Sequence, residues 1–302
     1  PPLTSRADSR WPARFAVALL ALAAAQAHGD ITVEISGVEG ALRENVLAHL
    51  SLQRYAQRDD LDAAMIERLV QRASGEAASA LRPFGYYEPE VHTYLRPAGR
   101  NWRVRVRIEP GAPVILAAAD VSVSGPGADE AALRRVIEQS NLSPGSRLNH
   151  AEYERTKGEL QRTAATIGYL DARLTANELR VDPAAHTARA ALALDTGQRY
   201  RFGRTAIEQD TIDQKLFLKY LRYREHDYYD AIAVLGTQFA LDDSQYFSVV
   251  EVTPGERDPA TLTVPISIRA QPMRRNRYTI GLGYGTDTRF RATLGWDNRR
   301  LN

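Results

Sequence analysis

Gln245-Tyr246-Phe247-Ser248-Val249-Val250-Glu251-Val252, followed by Leu262-Thr263-Val264-Pro265-Ile266-Ser267-Ile268, is the stretch on which the reading of this chain turns. In the second run Leu262, Val264, Ile266 and Ile268 alternate with small or polar residues, the period-two signature of a strand with one buried face. Pro265 lies inside it with no N–H to give, so a bulge or a break in pairing is expected there. The first run opens on a Tyr followed by an apolar residue, and that landmark recurs upstream at Tyr86-Tyr87 and Tyr169-Leu170. The spacings are 83 and 77 residues, so the chain reads as three units of about 80 residues.

Each landmark follows a helical pattern and opens a strand pattern. The long helices step by three and four through Ile66, Leu69, Ala73, Ala77, Ala80 and Phe84, then through Tyr153, Leu160, Ala164 and Ile167, then through Tyr228, Ile232, Leu235 and Phe239. Asp60 and Asn149 are placed to cap the first two. Shorter helices precede them, at Leu42, Val46 and Leu50 and at Leu133, Val136 and Ile137. Strands open the first two units at Ile31, Val33 and Ile35 and at Val121 and Val123, with a weaker one near 202–208 in the third. Closing strands alternate through Trp102, Val104, Val106 and Ile108 and through Ala188, Ala190, Leu192 and Leu194. The unit is β-α-α-β-β, an α+β layer with two helices over one face of a small sheet. Ile66, Leu69 and Phe84 are expected in the first core.

Composition removes several function classes. The 302 residues are 44% hydrophobic and 25% charged, with no Cys and a mean hydropathy of −0.38. That profile excludes disorder, a polytopic helical membrane protein, thiol chemistry and a disulfide framework. The net charge of +2 resides in the first 27 residues, where Arg6, Arg10 and Arg14 outweigh Asp8. A nucleic-acid partner is therefore not expected.

Arg10 and Arg14 precede an 11-residue apolar run at 15–25 that ends in Ala25-Gln26-Ala27. A basic start, a short apolar stretch and small residues before a cleavage point make a secretory signal, with processing between Ala27 and His28. The run is too short for a bilayer, which needs about 20 residues. A buried Ala/Leu helix is the alternative. The expected organisation is a signal peptide over 1–27, units over 28–115, 116–199 and 200–273, and a distinct segment over 274–302.

In that last segment, after Arg274, Arg275 and Arg277, Tyr278, Ile280, Leu282 and Tyr284 alternate with Thr279, Gly281, Gly283 and Gly285. A turn at Thr286-Asp287-Thr288 leads to Phe290, Ala292, Leu294 and Trp296, alternating with Arg291, Thr293, Gly295 and Asp297. Apolar-out and small-or-polar-in, with aromatics at strand ends, is the pattern of a transmembrane β-hairpin with a lipid-facing side made of Tyr278, Ile280, Leu282, Tyr284, Phe290, Leu294 and Trp296. An ordinary hairpin capping the third unit is the alternative. The glycines do not form a nucleotide loop, because a strand rather than a helix follows them. Barrels need about 8 strands of about 9–11 residues. The 25 residues from 278 to 302 hold two, so the chain is expected to be a sequencing fragment or a truncated gene.

Catalytic signatures are missing from the sequence. His28, His49, His92, His150, His186 and His226 show no metal-ligand spacing, and no nucleophile elbow or Walker loop occurs. Asp59-Asp60 and Asp242-Asp243 sit beside helix ends, where carboxylates cap or solvate. No cofactor and no enzymatic activity are expected. Arg103, Arg105 and Arg107 project to one face of a strand, a solvated face or a contact for an acidic partner or anionic lipid.

Three β-α-α-β-β units after a signal peptide resemble the POTRA domains of the outer-membrane barrel-assembly superfamily. The order of 245–252 and 262–268, with its strand proline, resembles the barrel-proximal domain. The count of three, with Phe84-Gly85-Tyr86-Tyr87 in the first, resembles the outer-membrane subunits of the translocation and assembly module, the TamA family, truncated at the start of the barrel. The resemblance implies a periplasmic arm of an outer-membrane protein assembly or translocation factor, with 28–273 in the periplasm. It also implies an inner-membrane-anchored, periplasm-spanning partner of the TamB type, unfolded outer-membrane protein clients and contact with outer-membrane lipid. Clients or partner would add a strand to the edge after each long helix, roughly 89–95, 172–179 and 248–253. Val91, Thr93, Leu95, Leu174, Val249 and Val250 lie on those edges. The alternative is a soluble periplasmic scaffold of POTRA domains with no barrel.

Overall fold

The computed structural model describes residues 31–56, 58, 61–98, 101–273, 276–285 and 289–298. Ala25, Ala27, His28, Asp59, Asp60, Arg274, Arg275 and the turn 286–288 lie outside the described residues.

The first unit runs β1 (Ile31–Ser36), α1 (Gly40–His49), α2 (Ser51–Tyr55), α3 (Ala63–Leu81), β2 (Glu90–Ala98) and β3 (Asn101–Glu109). The second runs β4 (Ile115–Ser124), α4 (Ala131–Glu138), α5 (His150–Thr166), β5 (Arg173–Asp182) and β6 (Thr187–Asp195). The third runs β7 (Arg201–Glu208), the single-turn α6 (Gln214–Phe217), α7 (Ala231–Asp243), β8 (Phe247–Pro254) and β9 (Thr263–Pro272). An antiparallel hairpin, β10 (Asn276–Gly285) and β11 (Arg289–Asn298), comes last.

All three sheets share one plan. The last strand of each unit is central, parallel to the first and antiparallel to the one after the long helix, giving β1-β3-β2, β4-β6-β5 and β7-β9-β8. The alternation Val104, Val106, Ile108 drives one face of β3 onto α3, whose Ile66, Leu69, Ala73, Ala77, Ala80 and Leu81 are buried. In the third unit the proline is accommodated by a bulge on its neighbour. Phe202 pairs with Val264 and Thr205 with Ile266, so Gly203 and Arg204 oppose Pro265. The amide freed at Thr205 donates instead to Glu225, at 3.0 Å.

Three expectations are corrected. The cap of α3 is Asp62, whose carboxylate accepts from the Met65 amide at 2.6 Å, rather than Asp60. Phe84 is half-buried and lies past the end of α3, and Leu81 fills the core position. The stripe Tyr228, Ile232, Leu235, Phe239 faces outward: Ile232 is 63% and Phe239 62% exposed, while Val234, Thr237 and Leu241 are buried. Residues 231–235 and 239–241 of α7 are apolar nearly all round, so no single apolar stripe marks its buried side.

The buried position makes a measurable difference. Leu81→Ala should cost about 2–5 kcal/mol of unfolding free energy, and Phe84→Ala less than Leu81→Ala. Denaturant titration of both variants checks the order, and the reverse ranking would mean that α3 ends in a different phase.

Candidate functional site: joints, sheet edges and an apolar hairpin

The Tyr landmarks sit at the joints between units. Gly85 adopts φ +89° just after α3, and its carbonyl accepts the Val114 amide at the threshold of β4, at 2.8 Å. Gly168 adopts φ +97°, and its carbonyl accepts the Tyr200 amide at the threshold of β7, also at 2.8 Å. Both conformations favour a residue without a Cβ. At each position a Cβ would stand 2.6 Å from a carbonyl oxygen of the next unit, Leu148 in the first joint and Tyr229 in the second. Those two residues donate in turn to the Val114 and Tyr200 carbonyls, both at 2.9 Å. A backbone relay thus runs from each long helix into the next unit.

Side chains lock the relay. In the first joint the Tyr87 hydroxyl lies 2.7 Å from His150 Nε2, and Arg147 donates to the Tyr86 hydroxyl at 3.2 Å. Burial holds the His150 imidazole below its ordinary pKa and the Tyr87 phenol above its own, so both groups stay neutral and the ring can accept a hydrogen bond from the phenol. In the second joint Arg199 pairs with Glu130 at 3.0 Å and donates to the Ile167 carbonyl at 2.8 Å. The Tyr200 hydroxyl donates to Asp171 at 2.6 Å, and Arg257 pairs with the same carboxylate at 3.0 Å. Burial, then the Asp171 bond, push the Tyr200 phenol up. Tyr228, expected in the α7 core, is flanked instead by the guanidinium groups of Arg199 and Arg201, at 4.4 and 4.0 Å from its ring centre. In the third repeat Gln245 replaces the glycine and still adopts a positive φ, +61°.

The strands after the long helices, β2, β5 and β8, form sheet edges, and among the described residues no strand of another unit pairs with them. Val91 and Leu95 on β2 turn inward and pack on the first core, and Thr93 shares their face in register with Val106. Leu174 on β5 is half-buried against the second core, and Val250 on β8 is buried. Val249 is 44% exposed. The edges therefore offer a partner mainly their backbone, with side chains read from the opposite face. On β2 that face carries His92, Tyr94 and Arg96, with Glu90 at the start of the strand. The apolar members of the alternation, which mark the strand in the sequence, do not point to these three.

Next to them on β3 stand Arg103, Arg105 and Arg107, all exposed. Glu34 serves both Arg103, at 3.4 Å, and Arg105, at 3.2 Å, while Arg107 pairs with Glu109 at 2.8 Å. Arg96 has no carboxylate partner among the described residues. A cleft of about 290 Å³ is lined by Tyr94, Arg96, Arg103, Arg105 and Arg107.

In the hairpin, Tyr278 pairs with Trp296, Ile280 with Leu294, Leu282 with Ala292 and Tyr284 with Phe290, so one side is apolar along these four pairs. It is open to solvent, with Leu282 85% and Phe290 88% exposed. Among the described residues no group of three or more His, Asp or Glu could hold a metal ion, and no helix is long and apolar enough to cross a membrane.

Residues 32–110 match the family model for a POTRA domain, TamA domain 1. Among solved structures the chain is similar to POTRA domains 3–5 of BamA from Haemophilus influenzae, at 15% identity and a TM-score of 0.43, covering 81% of this chain and 96% of that one. It is similar to POTRA domains 1–3 of the periplasmic domain of Omp85 from Anabaena, at 11% identity and TM-score 0.32, covering 82% and 95%. It is similar to CdiB from Acinetobacter baumannii, at 14% identity and TM-score 0.35, covering 61% of this chain and 35% of that one. The first unit is thus matched as a POTRA domain, and the second and third repeat its strand order and helix placement.

The joint glycines give a paired expectation. Gly85→Ala should cost about 1–3 kcal/mol, since the methyl meets both a strained φ and the Leu148 carbonyl. Gln245→Gly should add stability of about 1 kcal/mol by relieving a left-handed side-chain residue. Chemical unfolding of the two variants tests both signs, and destabilisation by Gln245→Gly would count against the conformational argument.

Proposed function

We propose that the chain is the periplasmic arm of an Omp85-type outer-membrane protein assembly or secretion factor of the TamA kind. Its POTRA domains hold extended client or partner strands by adding them to β2, β5 and β8. The observation that carries this reading is the repetition of one unpaired edge in three successive sheets, the first of which lies in the stretch matched by a POTRA family model. Backbone pairing tolerates sequence, which suits a protein that accepts many unfolded outer-membrane clients. The partner class is an inner-membrane-anchored, periplasm-spanning protein of the TamB type. In this reading 1–27 is the export signal, the three units occupy 28–115, 116–199 and 200–273, and 274–302 begins an outer-membrane barrel whose lipid-facing side carries Leu282 and Phe290. The role is binding and guidance rather than catalysis.

A photo-crosslinking residue placed in turn at Tyr94, Asn177 and Val249 of the full-length protein in cells should trap outer-membrane clients or partner. The same residue at Gln71, exposed on α3, should not. Equal capture at the helix site would defeat the edge reading. For the hairpin, Leu282→Arg should cost about 2–4 kcal/mol in a complete membrane-embedded barrel, and it should leave the melting temperature of the isolated chain unchanged. A loss of stability in the isolated chain would show that the hairpin is a packed cap.

A further inference from the structure

We infer that the first unit is selective for acidic strands: the solvent face of its sheet recognises an extended polypeptide with carboxylates at alternate positions, seated along β2. This rests on the strand-addition reading above and names the partner chemistry for one of the three edges.

The face is laid out by strand register. Arg103 stands between Thr32 on β1 and Arg96 on β2, Arg105 between Glu34 and Tyr94, and Arg107 between Ser36 and His92. Four guanidinium groups thus share the face with the Glu34, Glu90 and Glu109 carboxylates, and Glu90 and Glu109 are opposed at the end of the strands away from Arg96. Arg96 and Arg103 are directly opposed across the strands, and three arginines succeed one another at alternate positions of β3. Like charges in that arrangement oppose folding. Their exposed ion pairs return little, since pairs of this kind contribute about 0–1 kcal/mol. Arg96 is the guanidinium of this face left without a carboxylate partner among the described residues. The imbalance lies along the edge strand, where an incoming chain can supply what the fold omits.

The geometry favours a strand over a compact anion. Same-face residues of neighbouring strands repeat every second residue, about 7 Å apart. A strand laid beside β2 presents its own alternate side chains to His92, Tyr94 and Arg96, with Arg103 and Arg105 behind them. The Tyr94 ring forms an apolar wall of the cleft, and guanidinium forks suit carboxylates. The other two sheets lack such a cluster: the second also opposes two arginines, Arg180 and Arg189, but no further guanidinium stands beside them on β6. The β6 face carries Ala191 and Ala193 between Arg189 and Asp195, with Arg180 paired to Glu178 and Arg173 to Asp195. The β9 face carries Pro265 and Ser267, and Arg269 is paired with Glu208.

The test uses the full chain and synthetic strand peptides of one length, with glutamate, glutamine or lysine at alternate positions, monitored by fluorescence anisotropy. The glutamate peptide should bind about tenfold more tightly than the glutamine peptide, with a preference that falls as salt rises. Arg96→Gln combined with Arg103→Gln should abolish that preference, Arg96→Lys should keep part of it, and Arg180→Gln in the second unit should leave it intact. All of these positions are exposed, and circular dichroism of each variant verifies folding. A glutamate peptide N-methylated at alternate amides separates the two ideas. If it binds as well as its parent and still needs Arg96 and Arg103, acidic recognition stands and edge pairing falls. Equal affinity for glutamate and glutamine peptides overturns the acidic selectivity and leaves edge pairing standing. Arginine-dependent binding to phosphatidylglycerol vesicles with no peptide binding overturns the inference in favour of a lipid surface.

Discussion

The architecture depends on two carbonyl oxygens. Those of Gly85 and Gly168 leave their helices at positive φ and accept the amide that starts the next unit. A side chain at either position would collide with the next unit's backbone, so the close approach and the left-handed turn are one requirement met by one residue type. Each succeeding unit inherits its placement from that bond. The next strand begins where the glycine carbonyl sets it, and the loop before the next long helix pairs back onto that strand. After the first glycine, Tyr86 and Tyr87 meet Arg147 and His150 of the second unit, and after the second, Tyr169 meets Arg199 of the connector.

Much of this was legible in the sequence, and the failures have physical causes. Val104, Val106 and Ile108 announce a strand with one buried face because polar residues separate them cleanly. Pro265 announces an irregularity because a missing N–H must be absorbed somewhere, and the bulge at Gly203 absorbs it. The α7 phase was not legible, since Ile232 and Val234 are equally apolar and only the arrangement of the third sheet decides between them. The Gly-Tyr landmarks were visible as a repeat, but their role was not. Their partners Val114 and Tyr200 lie about 30 residues downstream, and no local pattern encodes that bond.

The same limit applies to the binding surface. Alternation led to Val91, Thr93 and Leu95, and these face the helices. The residues a partner meets are the other half of the alternation, His92, Tyr94 and Arg96. Their company with the β3 arginines comes from the antiparallel register of β2 and β3, which charge patterning along one strand cannot reveal. Polarity is also distributed unevenly along the chain. Cationic side chains gather on the first sheet, and the large exposed apolar side chains of α7 and the hairpin come after residue 228.

The joints have a mechanical consequence. Between Glu109 and Val114, and between Asp195 and Tyr200, the connecting segments 110–113 and 196–199 are both four residues long. Tension along the chain would first work against the glycine carbonyl's hydrogen bond and the side chains around it. Once these yield, the connector straightens to a span of at most roughly 17 Å and then arrests the separation. Each joint is stiff under small loads, gives over a short fixed travel, and stiffens again when its tether is taut.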